Sequence, residues 1–235
     1  MDKSIALVTG ANKGIGLQIA RQLADAGLTV YAGSRDAARG ELAVQQLAGD
    51  VRPLVIDVTD AASIAAAAGR LEALDILVNN AGISGDDRTA DREDADTFRR
   101  IYETNVFGVV AVTDAFLPVL RQSAHPRIVN ISSGTGSLTW ATGPQFAHTG
   151  RMAAYRSSKA ALNALTVFYA HALAADGIKV NALAPGLRRT DLNATAAASG
   201  GDPAEAAAGA VRLALLPDDG PSGEFISWDG TPVPW

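Results

Sequence analysis

Short runs of β-branched and aliphatic residues alternate with alanine-rich segments along the whole chain. Each run ends in turn residues, and the apolar positions of the segment that follows recur at helical spacing. This alternation predicts an α/β fold in which helices cover both faces of a parallel sheet. Seven strands are predicted, over residues 5–9, 29–33, 52–56, 76–79, 127–131, 179–183 and 224–227.

The segments between the strands predict the helices of one doubly wound domain. Asp60 and Asp202 stand where N-caps are expected, and Pro203 suits the first turn of the last helix. With 235 residues, 48% of them hydrophobic, the chain is long enough for one large core and short for two, so residues 1–235 form one predicted domain. Ligands of such folds bind at the carboxyl ends of the strands. The predicted helices cover residues 15–26, 38–48, 61–74, 95–120, 154–175 and 203–215.

Charge and composition argue against several classes of function. A net charge of −5 disfavours nucleic acid and anionic membranes as partners. The chain has no cysteine, and its three histidines (His125, His148 and His171) lack zinc-motif spacing, so no metal is expected. The first apolar run begins at Ile5, which leaves no signal peptide, and no uninterrupted apolar stretch reaches the ~18 residues of a spanning helix. A cytoplasmic protein without a membrane partner is the expectation.

A glycine-rich turn connects the first strand to the first helix. Residues 9–16 read Thr-Gly-Ala-Asn-Lys-Gly-Ile-Gly. Glycines let the backbone turn tightly and approach a pyrophosphate, and the helix N-terminus that follows offers free N–H groups to it. The spacing Gly-x-x-x-Gly-x-Gly departs from the general dinucleotide fingerprint, and glycines also serve as plain turn residues. The turn therefore suggests dinucleotide binding and needs support from other motifs.

A tyrosine and a lysine share one face of the helix predicted over 154–175. Tyr155 and Lys159 are four residues apart, and a cation beside a phenol favours proton exchange near neutral pH. Such a pair alone is usually a surface contact. Here, however, a strand pattern ends in Ser132 and Ser133 at the carboxyl edge, where a hydroxyl can bond a substrate oxygen.

Taken in order, these motifs resemble the short-chain dehydrogenase/reductase family over essentially the whole chain. The matching set is the glycine turn, Asn79-Asn80-Ala81-Gly82, Ile131-Ser132-Ser133, Tyr155 with Lys159, and Pro185-Gly186. The resemblance implies a Rossmann fold and reversible hydride transfer between a nicotinamide cofactor and a carbonyl carbon.

The same resemblance implies a role for each catalytic residue. Tyr155 is the general acid/base, Lys159 binds the nicotinamide ribose and lowers the tyrosine pKa, Ser133 polarises the carbonyl, and Asn105 holds a relay water. Two alternatives stay open: Ser132 competes for the serine role, and the Asn105 amide instead joins helix to strand.

Cofactor preference is predicted from the end of the second strand. NAD-selective folds carry an acidic residue there, whereas this chain has Ser34-Arg35. Arg35 and Lys13 are suited to pair with a 2′-phosphate, which favours NADP(H), and Arg39 is a weaker third candidate. The alternative is that these are ordinary surface charges. With the positions implied by the resemblance, the cofactor-binding set is Gly10, Asn12, Lys13, Gly14, Ile15, Gly16, Arg35, Asp57, Val58, Asn79, Ala81, Gly82, Tyr155, Lys159, Pro185, Gly186 and Thr190.

Two long connections are predicted to surround the substrate. An insertion at 134–154 separates serine from tyrosine, as in monomeric and plant-type carbonyl reductases of the family, so a monomer is weakly preferred. The aromatic and imidazole groups of this insertion are expected either to line a pocket or to pack on the protein surface. The two C-terminal tryptophans either cap the same cleft or fold back into the core. Residues 186–202 are expected to form a lid ordered mainly by ligand. The groups concerned are Trp140, Pro144, Phe146, His148, Trp228, Pro234 and Trp235.

The function expected from the resemblance is NADPH-dependent reduction of a small-molecule ketone or aldehyde to an alcohol. Two other functions compete with it. One is an NAD(P)-binding regulator without turnover, and the other is an NAD(P)-driven epimerase or dehydratase. The charged segment 84–94 is expected to be a solvated loop, with substrate contact as the alternative.

Overall fold

A computed structural model describes residues 3–144 and 149–235. The described chain folds around a seven-stranded parallel sheet of order β3-β2-β1-β4-β5-β6-β7, which confirms the predicted fold class. The strand order reverses between β1 and β4, so a crevice opens at their carboxyl ends. The strands are β1 Ile5–Val8, β2 Thr29–Ser34, β3 Asp50–Val55, β4 Ile76–Asn79, β5 Arg127–Ile131, β6 Lys179–Ala184 and β7 Phe225–Ser227.

Each predicted helix is present, with changes in extent. Asp60 and Asp202 are N-caps, as predicted: each side chain accepts a backbone N–H at 2.9 Å, from Ala62 and Ala204 respectively. The helix expected over 61–74 is shorter, because Gly69 is its C-cap. The helices are α1 Gly14–Asp25, α2 Ala37–Val44, α3 Ala61–Ala68, α4 Ala95–Tyr102, α5 Gly108–Leu120, α6 Leu138–Thr142, α7 Ala153–Ala172, α8 Ala194–Ala197 and α9 Pro203–Ala214.

The helix predicted over 95–120 is interrupted. A π-helical segment, Glu103–Phe107, separates α4 from α5. Short helices α6 and α8 were not predicted, because elements of five and four residues hold too few apolar positions to show a period.

Two apolar clusters cover the sheet, one on each face. Alternation along the strands sends Ala6 and Val8 into one cluster, with α1 and α9, and Leu7 into the other, with α3, α5 and α7. Burial on both faces explains the nearly continuous apolar runs of the strands.

One helical run, Ala95–Leu120, has the length and mean hydropathy (1.3) of a membrane-spanning segment. In the fold it lies on the sheet, where Val112, Phe116 and Leu120 are fully buried in the core. Core helices of this kind pass the same test of length and hydropathy as spanning helices do.

Candidate active site

The N-terminus of α1 opens at the carboxyl end of β1. Its N-cap residue Lys13 makes no side-chain cap, and no acidic residue stands in the first turn. At the start of six other helices, the side chain of the N-cap residue accepts a backbone N–H of the first turn. These N-cap residues are Asp36, Asp60, Asp94, Ser137, Asn193 and Asp202. The N–H groups and positive dipole end of α1 are therefore left for an anion.

Three glycines shape the turn that leads into α1. Gly10 (φ +64°) and Gly14 (φ +57°) adopt the left-handed conformation that glycine tolerates best. A Cβ on Gly10 would lie 2.9 Å from Ala81 Cα. A Cβ on Gly16 would lie 2.6 Å from the Gly10 carbonyl oxygen and would collide with Asn80 Nδ2. The turn is thus a cradle of bare backbone, which fits the close approach of a pyrophosphate.

The two asparagines of the Asn-Asn-Ala-Gly motif have different roles. Asn80 borders the cleft, and its Nδ2 donates to the Gly10 carbonyl at 3.1 Å, which ties the glycine turn to the end of β4. Asn79 is 3% exposed, and its Nδ2 donates to Thr113 Oγ1 (3.2 Å) and Asn130 Oδ1 (3.0 Å). The assignment of Asn79 to cofactor binding is therefore wrong for its side chain. Strand alternation turns that side chain into the core, where it joins β4 to β5 and α5.

Positive charge gathers at the end of β2. The backbone N–H of Thr59 holds the pKa of Asp57 below its usual range, and the charge of nearby Arg35 lowers that pKa further. The acidic residue of this turn, Asp36, is already engaged: its carboxylate accepts from the Arg39 backbone at 3.0 Å and caps α2. Arg35 is exposed and lines the cleft, and the neighbouring Asp36 carboxylate is occupied as the N-cap of α2.

Lys13, the N-cap residue of α1, also lines the cleft. Its Nζ is 3.2 Å from Asp191 Oδ2, in an ion pair whose side chains are 59% and 76% exposed. Exposed pairs of this kind contribute little to stability, so Lys13 is able to exchange Asp191 for another anion.

Tyr155 and Lys159 lie on the buried face of α7, at the floor of the cleft. The Lys159 Nζ donates to the Ile131 carbonyl at 2.8 Å and lies 5.8 Å from the centroid of the Tyr155 ring. Burial lowers the pKa of Lys159 from 10.5 to about 8. Burial also raises the pKa of Tyr155, and a hydrogen bond with Ser133 opposes that rise. The lowering of the tyrosine pKa by Lys159, which the resemblance implies, stays a prediction.

The hydroxyls of the two serines after β5 point to different partners. Ser132 is 2% exposed, and its Oγ donates to Asn163 Oδ1 at 2.5 Å, away from the tyrosine. The Ser133 hydroxyl bonds the Tyr155 phenol and also lies 2.9 Å from Thr135 Oγ1. This geometry favours Ser133 for the catalytic role.

Asn105 joins three elements through its amide. Its Nδ2 donates to the Ile83 carbonyl (2.9 Å) and to Ser158 Oγ (3.0 Å), while its Oδ1 accepts from the Ile83 N–H (2.9 Å). The residue is fully buried in the π-helical segment. The structure therefore shows the stitching contact that was the alternative for Asn105, and the relay water stays a prediction.

The start of the catalytic helix α7 is held by residues from outside it. Its N-cap Met152 has φ 57° and no side-chain cap. The carboxylate of Glu93 takes over this role and accepts from Ala154 N–H at 2.9 Å. The Met152 N–H donates to the Arg88 carbonyl and the Ala90 N–H donates to the Gly150 carbonyl, each at 2.8 Å. These bonds join the loop before α7 to the segment that contains Glu93. Sequence reasoning missed Glu93, because a cap supplied 61 residues away leaves no local motif.

The segments around the substrate side have their own anchors. The C-terminal Trp235 stacks on Phe225 at 5.3 Å and its carbonyl accepts from Thr139 N–H at 3.1 Å, so it packs against the insertion while it remains 39% exposed. The lid segment is already tied across the cleft, since Ser84 Oγ donates to the Leu192 carbonyl at 3.1 Å. Phe146 and His148, named above as pocket candidates, lie outside the described residues.

A cleft of about 440 Å³ runs along the carboxyl ends of the strands and collects most of the predicted residues. Gly186 is not among them and packs instead against Trp228, and Asn79, Asn105 and Ser133 do not line the cleft either. The predicted residues and candidates at the cleft are Gly10, Asn12, Lys13, Gly14, Ile15, Gly16, Arg35, Arg39, Asp57, Val58, Ala81, Gly82, Ser132, Tyr155, Lys159, Pro185 and Thr190. Lining residues within the predicted motifs, lid and charged segment, but given no contact of their own, are Ser34, Asn80, Ser84, Ile131, Asp191 and Leu192. Sequence reasoning missed Asp36, Ile56, Thr59, Ile83, Arg100 and Thr104. Within residues 3–144 and 149–235, no group of three His, Asp or Glu side chains is placed to hold a metal ion.

An open helix N-terminus beside bare glycine backbone, with a buried tyrosine and lysine in the same cleft, defines a nucleotide-dependent oxidoreductase of Rossmann fold. Residues 4–199 match the family model described as short chain dehydrogenase. The chain belongs to the short-chain dehydrogenase/reductase family, whose members bind NAD(P) and act on carbonyl or alcohol substrates.

Curated relatives and solved structures agree with this family. The chain is 42% identical to a short-chain dehydrogenase of Penicillium roqueforti, over 80% of each chain. It is 34% identical to salutaridine reductase of Papaver bracteatum, over 94% of this chain and 93% of that enzyme. Among solved structures, the NADPH-bound carbonyl reductase from chicken fatty liver superposes with a TM-score of 0.84 at 31% identity and covers 100% of both chains.

Proposed function

We propose that this protein is an NADPH-dependent carbonyl reductase that converts a small ketone or aldehyde to an alcohol. The observation that carries the proposal is the meeting of two parts in one cleft. An uncapped helix N-terminus with a glycine cradle lines the same cleft as the Tyr155 and Lys159 side chains, and Ser133 is hydrogen-bonded to the Tyr155 phenol. The first part fits a dinucleotide, and the second part fits proton transfer to a carbonyl oxygen.

The chain's own residues have separable roles in this reaction. The nicotinamide cofactor, when bound, supplies the hydride. Ser133, already hydrogen-bonded to the phenol, orients the substrate oxygen toward Tyr155. Tyr155 holds the proton at its hydroxyl, because burial keeps the phenol neutral, and delivers it to the oxygen of the reduced substrate. Lys159, with a pKa of about 8, exchanges protons near neutral pH and replenishes the tyrosine.

NADPH rather than NADH is the proposed cofactor because of the charges at the end of β2. Arg35 is exposed at the cleft, and Asp36 is engaged as the cap of α2. Lys13, held only by an exposed ion pair, is available as a second cation. A 2′-phosphate between these cations gains two charge-assisted contacts that a plain ribose lacks.

Two comparisons support the reductive direction and the cofactor. Salutaridine reductase of Papaver bracteatum and (−)-isopiperitenone reductase of Mentha piperita are named for reduction, at 34% and 35% identity. The chicken carbonyl reductase structure contains NADPH. The insertion over 134–154 also supports a monomer, which sedimentation in the presence of NADPH tests: a stable dimer at micromolar concentration contradicts it.

The test is cofactor oxidation with a panel of ketones, aldehydes and quinones, run with NADPH and with NADH. Wild-type turnover with NADPH preference is expected. Arg35→Ala should raise the KM for NADPH about tenfold and leave NADH unchanged, because only the 2′-phosphate contact is lost. The matched control is Arg92→Ala, since Arg92 is exposed outside the cleft. A preference for NADH, or equal effects of the Arg35 and Arg92 substitutions, would contradict the proposed cofactor.

A further inference from the structure

The loop over residues 187–201 has two parts: a neck, formed by its hydrogen-bonded ends, and a tip, formed by residues 190–192. At the neck, Arg189 N–H donates to the Gly201 carbonyl at 2.8 Å, and Ser199 Oγ donates to the Leu187 carbonyl at 3.0 Å. The tip carries Thr190, Asp191 and Leu192, which border the cleft. This loop follows β6, at the edge of the sheet where ligands bind.

A buried guanidinium fills the neck. Arg188 is 7% exposed, and its guanidinium carbon lies 4.2 Å from the centroid of the Trp228 ring. Its Nη1 donates to the Leu187 carbonyl at 3.2 Å, and its Nη2 lies 3.4 Å from Glu205 Oε2 at the start of α9. A cation this deeply buried persists only where its surroundings compensate the lost hydration. The Trp228 face and the Glu205 carboxylate compensate part of that loss, while Nε and Nη2 make no hydrogen bond to any described residue, and both compensating groups belong to elements outside the loop.

The neck is shaped to admit this side chain. A Cβ on Gly201 would lie 2.8 Å from Arg188 Nη1 and would collide with the Leu187 carbonyl oxygen. A Cβ on Gly186 would lie 3.1 Å from the Trp228 ring and 3.4 Å from Nη1. Glycines at both ends of the loop therefore leave the volume that the guanidinium occupies.

The contacts of the tip are weaker than those of the neck. Lys13 and Asp191 form an ion pair with both partners mostly exposed, and Ser84 Oγ donates to the Leu192 carbonyl at an exposed site. Exposed polar contacts contribute little, because water competes for each group. Asn193 Nδ2 also donates to Ser84 Oγ at a part-buried site (3.2 Å), and the buried Arg188 of the neck is the further support of the tip.

We propose that Arg188 is a positioning residue: stacked on Trp228 and facing Glu205, it holds the neck so that the tip stays over the cofactor-binding cleft. Arg188 touches neither cofactor nor substrate and acts through Thr190 to Leu192. This inference rests on the proposed function, because the tip would close over the nicotinamide half of the dinucleotide. The adenosine half would lie at the glycine turn and Arg35, where the contact of the tip is the exposed ion pair of Asp191 with Lys13.

The experiment compares the binding of two ligands by calorimetry or fluorescence. NADPH reaches the tip, whereas 2′,5′-ADP carries the 2′-phosphate and the adenosine half alone. Gly201→Ala crowds the Leu187 carbonyl and the Arg188 guanidinium without removing the guanidinium, and Gly200→Ala is its matched control, because a Cβ on Gly200 meets open space. Arg188→Met removes the cation at similar length, and its control is the exposed neighbour Arg189→Met.

Gly201→Ala and Arg188→Met should each raise the Kd for NADPH about five- to tenfold and change the Kd for 2′,5′-ADP less than about twofold. Both controls should match wild type. Equal weakening of both ligands, or no change in either with Gly201→Ala, overturns the positioning role. Gly201→Ala keeps the test decisive if Arg188→Met does not fold. Failure of the wild type to bind either ligand would instead count against the proposed function.

Discussion

The two halves of the sheet build their parts of the cleft from different groups. On the β1 side, the binding surface is backbone: bare N–H groups at the start of α1 and a turn whose glycines leave no room for a Cβ. On the β5 side, the reacting groups are side chains: Ser133, Tyr155 and Lys159 project from one strand end and one helix.

This difference decides how each half is kept in place. A backbone cradle takes its shape from its glycine spacing, and the Asn80 amide at the end of β4 supports it. Side chains need supports, and these come from far along the chain. Glu93 caps α7, Asn163 accepts from Ser132, and Arg188 holds the loop after β6. The catalytic half is therefore expected to be more sensitive to distant substitutions than the cofactor half.

The largest effect is expected from a single methyl group in the cradle. Gly16→Ala places a Cβ 2.6 Å from the Gly10 carbonyl and against Asn80, so the turn must open. The Kd for NADPH should rise by about 30-fold or more, as measured by fluorescence titration. Gly69→Ala is the matched control, because Gly69 is a helix C-cap with its nearest contact at 3.5 Å. If Gly16→Ala bound NADPH as tightly as wild type, the cofactor-binding surface on the β1 side would not depend on exposed backbone.

A smaller effect is expected at the support of the catalytic helix. Glu93→Ala removes the group that accepts the Ala154 N–H, next to Tyr155, and should lower kcat about five- to tenfold with the Kd for NADPH nearly unchanged. Glu93→Gln keeps an acceptor and should recover most of that loss. Asp94→Ala provides the contrast, since Asp94 caps α4 instead. An equal loss of kcat in the alanine and glutamine variants would show that the cap is not the reason.

The smallest effect is on stability as a function of pH. Burial holds the pKa of Lys159 at about 8, below its ordinary 10.5. Between these values the unfolded chain binds the proton more than the folded chain does, so this group makes the free energy of unfolding rise with pH. Below pH 8 Lys159 is protonated in the folded protein, so the full cost of burying its charge lowers the free energy of unfolding.

The measurement is urea unfolding of wild type and Lys159→Met at pH 7 and at pH 10. The stability of wild type relative to Lys159→Met should rise by on the order of 1 to 3 kcal/mol across this interval. Burial raises the pKa of Tyr155 and acts in the opposite direction only above about pH 10, in both proteins. A difference that stays constant with pH would show that Lys159 is not desolvated.

How far the sequence predicted the molecule differs between the same two halves. The strands and the cradle were predictable, because β-branched runs and glycine spacing are local signals. The side-chain orientation of Asn79 was not, since a one-residue difference along a strand exchanges core for cleft. The π-helical segment at Asn105 has no period of its own to detect. Glu93 and Arg188 act across 61 and 40 residues, and only the fold brings them to their partners.

The central claim is that one cleft combines a cofactor cradle with a separate catalytic tyrosine. Tyr155→Phe tests it most directly, with NADPH affinity and carbonyl-dependent NADPH oxidation measured on the same sample. We predict that the Kd for NADPH stays within about twofold of wild type while kcat falls by about 1,000-fold, because the proton donor is lost and the cradle is intact. Turnover close to wild type, or loss of NADPH binding in parallel with activity, would contradict the account.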